Sequence, residues 1–186
     1  MILALDISTS ITGYSVVSKD GKIQASGYVD LRKKKSFVEK VSHAKNEIIM
    51  NCVGYDIEVV AVEKNLQAFR RGFSSAATID ALARMNGALS YACASFYDTP
   101  LKNIDVNEAR KKMSIKIYKE KLCGINKKEQ VKRALDSILE ASGQKIVWSK
   151  KVLKGGPRKG QEVLADGVYD EVDAIVIGLA YLKIAD

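Results

Sequence analysis

The chain opens with MILALDISTSITGYSVV, and its first apolar run is almost unbroken. Ile2–Ile7 has no polar face, the pattern of a strand covered on both sides. Gly13–Lys19 and Lys22–Asp30 read as two further strands, and Asp20-Gly21 between them is a strong signal for a two-residue hairpin turn. The period then lengthens. Over Ser36–Cys52, Phe37, Val41, Ala44 and Ile48 fall on one helical stripe. Asp56–Glu63 returns to a strand pattern.

Ser74–Phe96 reads as a long helix, with Ala77, Leu82, Met85, Leu89 and Ala92 along its apolar side. Its small residues permit close packing, so it is the expected site of part of a subunit interface. Leu101–Val106 is a fifth strand. Asn107 is placed to cap a short basic helix over Glu108–Met113. Lys127–Glu140 is amphipathic, with Val131, Leu135 and Ile138 facing inward. Gly143–Gly167 is irregular, glycine-rich and basic. Asp170–Ile184 closes the pattern as an apolar helix. No internal repeat is visible. Two antiparallel joins followed by helix crossovers predict an α/β fold: one mixed five-stranded sheet flanked by helices.

Composition narrows the class. At 186 residues, 47% hydrophobic and 28% charged, the chain suits a single domain of ordinary size. The longest apolar stretch, Ala174–Leu182, falls short of the roughly 18 residues of a membrane span. No basic-then-apolar leader precedes the first strand, so no secretion signal is expected. Cys52, Cys93 and Cys123 are three and far apart, which argues against a disulfide framework or a zinc knuckle. His43 is the only histidine. Metal chemistry, if present, must therefore use oxygen ligands, which favour magnesium or manganese.

Charge is uneven. Between positions 107 and 160 stand sixteen Lys or Arg and five acids, while the whole chain is +8, so the remainder is mildly acidic. Such asymmetry suggests a polyanionic partner, most simply nucleic acid.

Four carboxylates interrupt the apolar pattern. Asp6 ends the strand ILALD and Glu63 ends VVAVE in the same way. A lone carboxylate in an apolar strand costs several kcal/mol if it stays charged and unpaired. Asp6 can serve as a turn residue for the following ISTS, and Glu63 can pair with Lys64 or Arg70. Asp170 and Asp173, three apart at the start of the last helix, share one face and can simply complement the helix dipole. Taken together, the four point elsewhere. The apolar last helix must pack inside, and its first turn then delivers two acids to the strand ends. Four carboxylates without four basic partners repel one another. Two divalent cations, roughly 3.5–4 Å apart, resolve that repulsion and form the arrangement used in phosphodiester hydrolysis.

The motifs resemble those of RuvC-type Holliday junction resolvases, of the RNase H-like (retroviral integrase) superfamily. ILALDISTSITGYSVV resembles the first motif, VVAVEKNLQAFRRG the second, and ATIDALARMNGAL the helix that follows it. INKKEQVKRAL resembles the basic motif before the last helix, and YDEVDAIVIGLAYL the last motif. The resemblance covers most of the chain, 1–186 as a single RNase H-like nuclease domain with a basic insert at about 143–167. It implies Asp6, Glu63, Asp170 and Asp173 as catalytic acids holding two Mg2+ ions, with Mn2+ as a substitute. It implies Lys128 as the basic residue at the scissile phosphate, and a homodimer that nicks four-way DNA junctions in the cytoplasm of a bacterial or phage-infected cell. For the DNA surface we assign Phe69, Arg70, Arg71, Lys111, Lys112, Lys127, Lys132, Lys150, Lys151 and Lys154. The family's aromatic three residues after the second acid is replaced here by Leu66, with Phe69 three further on, which puts base preference in doubt. The insert, with Trp148 and KKVLKGGPRKG, is either a DNA-contacting addition or a flexible one, and it suits phage-encoded relatives.

Two other functions compete. A non-catalytic or RNA-processing relative keeps the fold and the basic surface but loses acids. An actin-like phosphotransferase uses a similar hairpin to approach phosphate, but needs two such domains.

Overall fold

The computed structural model describes residues 1–64 and 75–185. The described elements run β1 (Ile2–Asp6), β2 (Ile11–Val17), β3 (Ile23–Asp30), α1 (Phe37–Cys52), β4 (Val59–Glu63), α2 (Ala76–Tyr97) and β5 (Leu101–Ile104). They continue with α3 (Val106–Lys112), α4 (Glu120–Cys123), α5 (Lys127–Ala141), β6 (Lys150–Val152), β7 (Glu162–Leu164) and α6 (Val168–Ala185). The main sheet has five strands in the order β3-β2-β1-β4-β5. β1–β2 and β2–β3 are antiparallel, and β1–β4 and β4–β5 are parallel. The architecture is the mixed, helix-flanked α/β sheet expected from the hydrophobic pattern.

Strand parity divides the core in two. In β1, Ile2 and Ala4 join the layer that contains α3, α5 and α6, while Leu3 and Leu5 join the layer under α1 and α2. In β4, Val59 and Ala61 take the first side, and Val60 and Val62 the second. Continuing that alternation, Asp6 and Glu63 belong to the α6 side. Leu5 stands opposite Val62 in the parallel ladder, so the two acids follow side by side at the carboxyl ends of adjacent strands. Ligand sites in open α/β sheets lie at that edge.

α6 lies unusually close to the sheet because small residues meet there. A Cβ on Gly178 would fall 2.6 Å from Val17 Cγ2 and 3.2 Å from the Ala4 Cβ. Ser15, fully buried in β2, donates through Oγ to the Ala174 carbonyl at 3.1 Å. The helix is buried on nearly every side from Val168 to Ala180.

Several local expectations shift. The cap of α3 is Asp105, whose carboxylate accepts from the Asn107 and Glu108 amides, so the helix starts at Val106 rather than after Asn107. The inward stripe of α5 is Val131, Leu135 and Leu139, with Ile138 only half-buried. In α2, Ala77 is exposed and burial begins at Met85. The basic stretch expected to be irregular contains the β6–β7 hairpin, whose three-residue strands are too short to show a period. Among the described residues, no helix is long and apolar enough to cross a membrane.

Candidate active site

Three distant parts of the chain bring the four acids to one end of the sheet. Asp6 and Glu63 arrive on β1 and β4, and Asp170 and Asp173 arrive on the first turns of α6. The approach of α6 is set by Gly13, which pairs with Asp6 across the β1–β2 ladder and whose Cα side lies against the Asp170 carbonyl. The turn after β1 does not use Asp6. Ser8 makes it instead, its Oγ accepting from the Ser10 amide at 3.2 Å and the Ile11 amide at 3.0 Å.

All four acids titrate abnormally high. Burial raises Asp6 well above the usual carboxylate range, and the charges of Asp173, Glu63 and Asp170 push it further. Glu63 is raised first by burial and then by Asp173. Burial raises Asp170 against the pull of Lys128, and raises Asp173 against Arg110, Lys128 and Lys127. The carboxylates therefore sense one another, and among the described residues none has a close hydrogen-bonded cation. Arg110 Nη2 stands 3.7 Å from Asp173 and Lys128 Nζ 3.8 Å from Asp170, beyond hydrogen-bond length in each case. Among the described residues, no three carboxylates converge tightly enough to form a ready-made cation cage. The donor set fits hard divalent ions in kind: every donor is oxygen, and among the described residues the nearest cations, Arg110 and Lys128, are only loosely placed.

This surplus has a thermodynamic consequence. Each acid with a raised pKa binds its proton more tightly folded than unfolded. The stability it contributes is whole below the ordinary value near 4 and is lost as pH rises through the raised one. Asp6→Asn removes the most crowded member. In EDTA the variant is expected to gain roughly 1–3 kcal/mol on the parent protein between pH 4 and 8. Parallel thermal melts check this, and a variant that loses ground as pH rises contradicts it.

Lys128 stands beside Asp170, with its ammonium 5.9 Å from the Tyr169 ring centre. Lys127 acts on Glu63 and Asp173 through its charge. Lys111 and Lys127 line a neighbouring surface depression of about 700 Å3 with Asn107, Arg110, Ser114 and Lys116. Lys112 instead donates to the Lys183 carbonyl at the far end of α6. Lys132 pairs with Asp136 at 2.8 Å and covers the Trp148 ring. Lys150 pairs with Glu162, and Lys151 with Asp166. Lys154 is exposed on the β6–β7 hairpin. Phe69, Arg70 and Arg71 lie outside the described residues.

Sequence reasoning missed Arg110. Its side chain is only 12% exposed, its Nε is buried without a hydrogen-bond partner among the described residues, and its charge reaches both Asp173 and Glu63. The signal was present. With the helix begun at Val106, positions 106, 109, 110 and 113 form one face, and Ala109 and Met113 on it are buried.

No family model and no curated protein sequence matches this chain. Solved structures do. RuvC from T. thermophilus in complex with a Holliday junction substrate superposes with a TM-score of 0.65 at 18% identity, covering 99% of this chain and 93% of that one. Thermus thermophilus RuvC gives 0.61 at 20% identity, covering 99% and 94%. The class is thus defined by fold: an RNase H-like α/β domain. Within that class, the chain has the RuvC fold along nearly its whole length.

Proposed function

We propose that this protein is a structure-selective endonuclease that resolves four-way DNA junctions by paired phosphodiester hydrolysis. The observation that carries the reading is the gathering of Asp6, Glu63, Asp170 and Asp173 at the carboxyl edge of a RuvC-type sheet, where the described cations pair only loosely with two of them. These four residues would hold two Mg2+ ions, or Mn2+. Such ions, when bound, supply Lewis-acid activation of water and stabilisation of the leaving 3′ oxygen.

The chain's own cations have separate tasks. Lys128, more than half exposed beside Asp170, is free to turn toward a scissile phosphate. Arg110 compensates Asp173 from the interior. Lys111, Lys112, Lys127, Lys132, Lys150, Lys151 and Lys154, with Phe69, Arg70 and Arg71, are assigned to the DNA surface. A four-way junction offers two equivalent strands for nicking, which suits a homodimer. The exposed first half of α2, rich in alanine, is the face we assign to it.

A non-catalytic junction binder is the rival reading, and the pairings of Arg110 and Lys128 with two of the acids favour it. One assay separates the two. The purified protein is expected to convert a synthetic four-way junction to nicked duplexes with Mg2+ or Mn2+ and to leave it whole in EDTA. Binding without cutting under both conditions would support the rival. Equal cutting of linear duplex would remove the junction selectivity.

A further inference from the structure

We propose that the tip of the β6–β7 hairpin, through Lys154, Arg158 and Lys159, grips the phosphate backbone of one duplex DNA arm leading away from the acids. This rests on the nuclease reading above and adds a contact surface to it. Residues 153–161, LKGGPRKGQ, hold three cations and no acid. Every residue from 154 to 161 is exposed. Among the described residues, these three cations form no ion pair, whereas the two lysines of the hairpin body are engaged. Lys150 lies 2.6 Å from Glu162, and Lys151 lies on Asp166. The body lysines therefore hold the arm, and the tip carries its free charge.

The arm is built to be held in place. The Leu153 amide donates to the Gln161 carbonyl at 3.0 Å, and the Gly160 amide returns to the Leu153 carbonyl at 2.9 Å. Gly156 and Gly160 take the positive φ values, 75° and 87°, that close the loop. A ladder of two three-residue strands is not stable alone, and both its feet are fastened. At the entering foot, Trp148 Nε1 donates to Asp136 on α5 at 2.8 Å, and Lys132 lies 5.3 Å from the ring centre. At the leaving foot, Arg32 bridges Asp30 and Asp166 at 2.6 and 2.9 Å.

Single exposed ion pairs contribute little, about 0–1 kcal/mol each. Here they act on one short element from both ends, together with a half-buried indole. Ordering each tip residue costs about 1–2 kcal/mol, and the tip buries no apolar side chain that would offset it. A prearranged cationic tip lowers the ordering cost of binding a polyanion. β7 also runs straight into α6, so the tip is tied to the helix that carries Asp170 and Asp173. The ten residue-to-residue steps from Gly160 to Asp170 span at most about 35 Å. That bounds the reach of the tip to about ten base pairs from the cleavage site at 3.4 Å per step.

The test is the triple variant K154A/R158A/K159A, bound to a synthetic four-way junction in EDTA between about 50 and 200 mM salt. Each phosphate that the tip no longer neutralises flattens the logarithmic salt dependence by roughly 0.9, so a drop of about 2–3 is expected. Hydroxyl-radical footprinting should lose protection on one arm, within about ten base pairs of the nick. Thermal melting of the variant should match the parent, since the substituted side chains pack on nothing. An unchanged slope and footprint, with the parent protein nicking junctions, overturns the hairpin assignment alone. If the parent neither binds nor nicks junctions, the nuclease reading falls and this inference falls with it.

Discussion

Glu63→Gln is expected to abolish junction nicking while leaving junction binding within about threefold of the parent. The substitution keeps the volume and shape of the side chain at the end of β4. It replaces a carboxylate by an amide, a much poorer ligand for a hard divalent ion. Metal-assisted stabilisation of a phosphodiester transition state amounts to several kcal/mol. At about 1.4 kcal/mol per factor of ten, its loss lowers the rate by roughly a thousandfold or more. Binding should survive because it draws on different residues. The basic depression lined by Lys111, Lys116 and Lys127 lies beside the acids and contains no carboxylate. Removing a negative charge from the cluster, if anything, favours a polyanion. Gel shift and cleavage on one preparation provide the measurement. Loss of binding by a folded variant would show that Glu63 supports the DNA surface, and nicking at the parental rate would remove it from the catalytic set.

Much of this site is legible in the sequence, and the reason is periodicity. Asp6 and Glu63 each end a continuous apolar run, and a parallel crossover makes those strands neighbours, while the face they share is set by the packing on either side of the sheet. An apolar helix that must be buried then brings its two first-turn acids to the same place. Arg110 is hidden in the sequence because it opens the basic run Arg110-Lys111-Lys112. In a run of Arg and Lys the arginine reads as one more surface cation, and only the burial of Ala109 and Met113 beside it sets it apart. The hairpin was hidden for a different reason. Strands of three residues carry no period, and the polar contacts that fasten it join residues apart in sequence, Arg32 with Asp166 and Trp148 with Asp136. Lys112 and Lys132, assigned to the DNA surface by charge, also hold the fold. Their contacts with the Lys183 carbonyl and with Asp136 and Trp148 are tertiary, so no composition argument reveals them.

The same close packing that assembles the site makes it fragile at one residue. Gly13→Ala is expected to cost both stability and activity, although Gly13 carries no chemistry. A Cβ there would lie 1.9 Å from the Asp170 carbonyl oxygen, 2.2 Å from the Asp170 carbonyl carbon and 2.7 Å from the Glu171 amide nitrogen. All three are backbone atoms, so no side-chain rotation relieves the overlap. Either β2 bends or the first turn of α6 withdraws by more than about 1 Å to restore ordinary contact at roughly 3.5–4.0 Å. Overpacking of this kind costs typically about 1–3 kcal/mol, or about 2–4 °C of melting temperature per kcal/mol in a chain of this length. The catalytic effect is larger. Gly13 stands opposite Asp6 in the ladder, and Asp170 begins the turn that must withdraw, so the shift opens the acid cluster directly. A misplacement of about 1 Å costs on the order of a hundredfold in rate. Gly54→Ala is the matched control, because a Cβ there meets nothing within 4 Å. Melting curves and nicking rates of the two variants, side by side, provide the comparison. A Gly13→Ala protein that melts and cuts like the parent would mean that α6 does not rest on β2 as the structure has it. The acids would then have to be gathered in some other way.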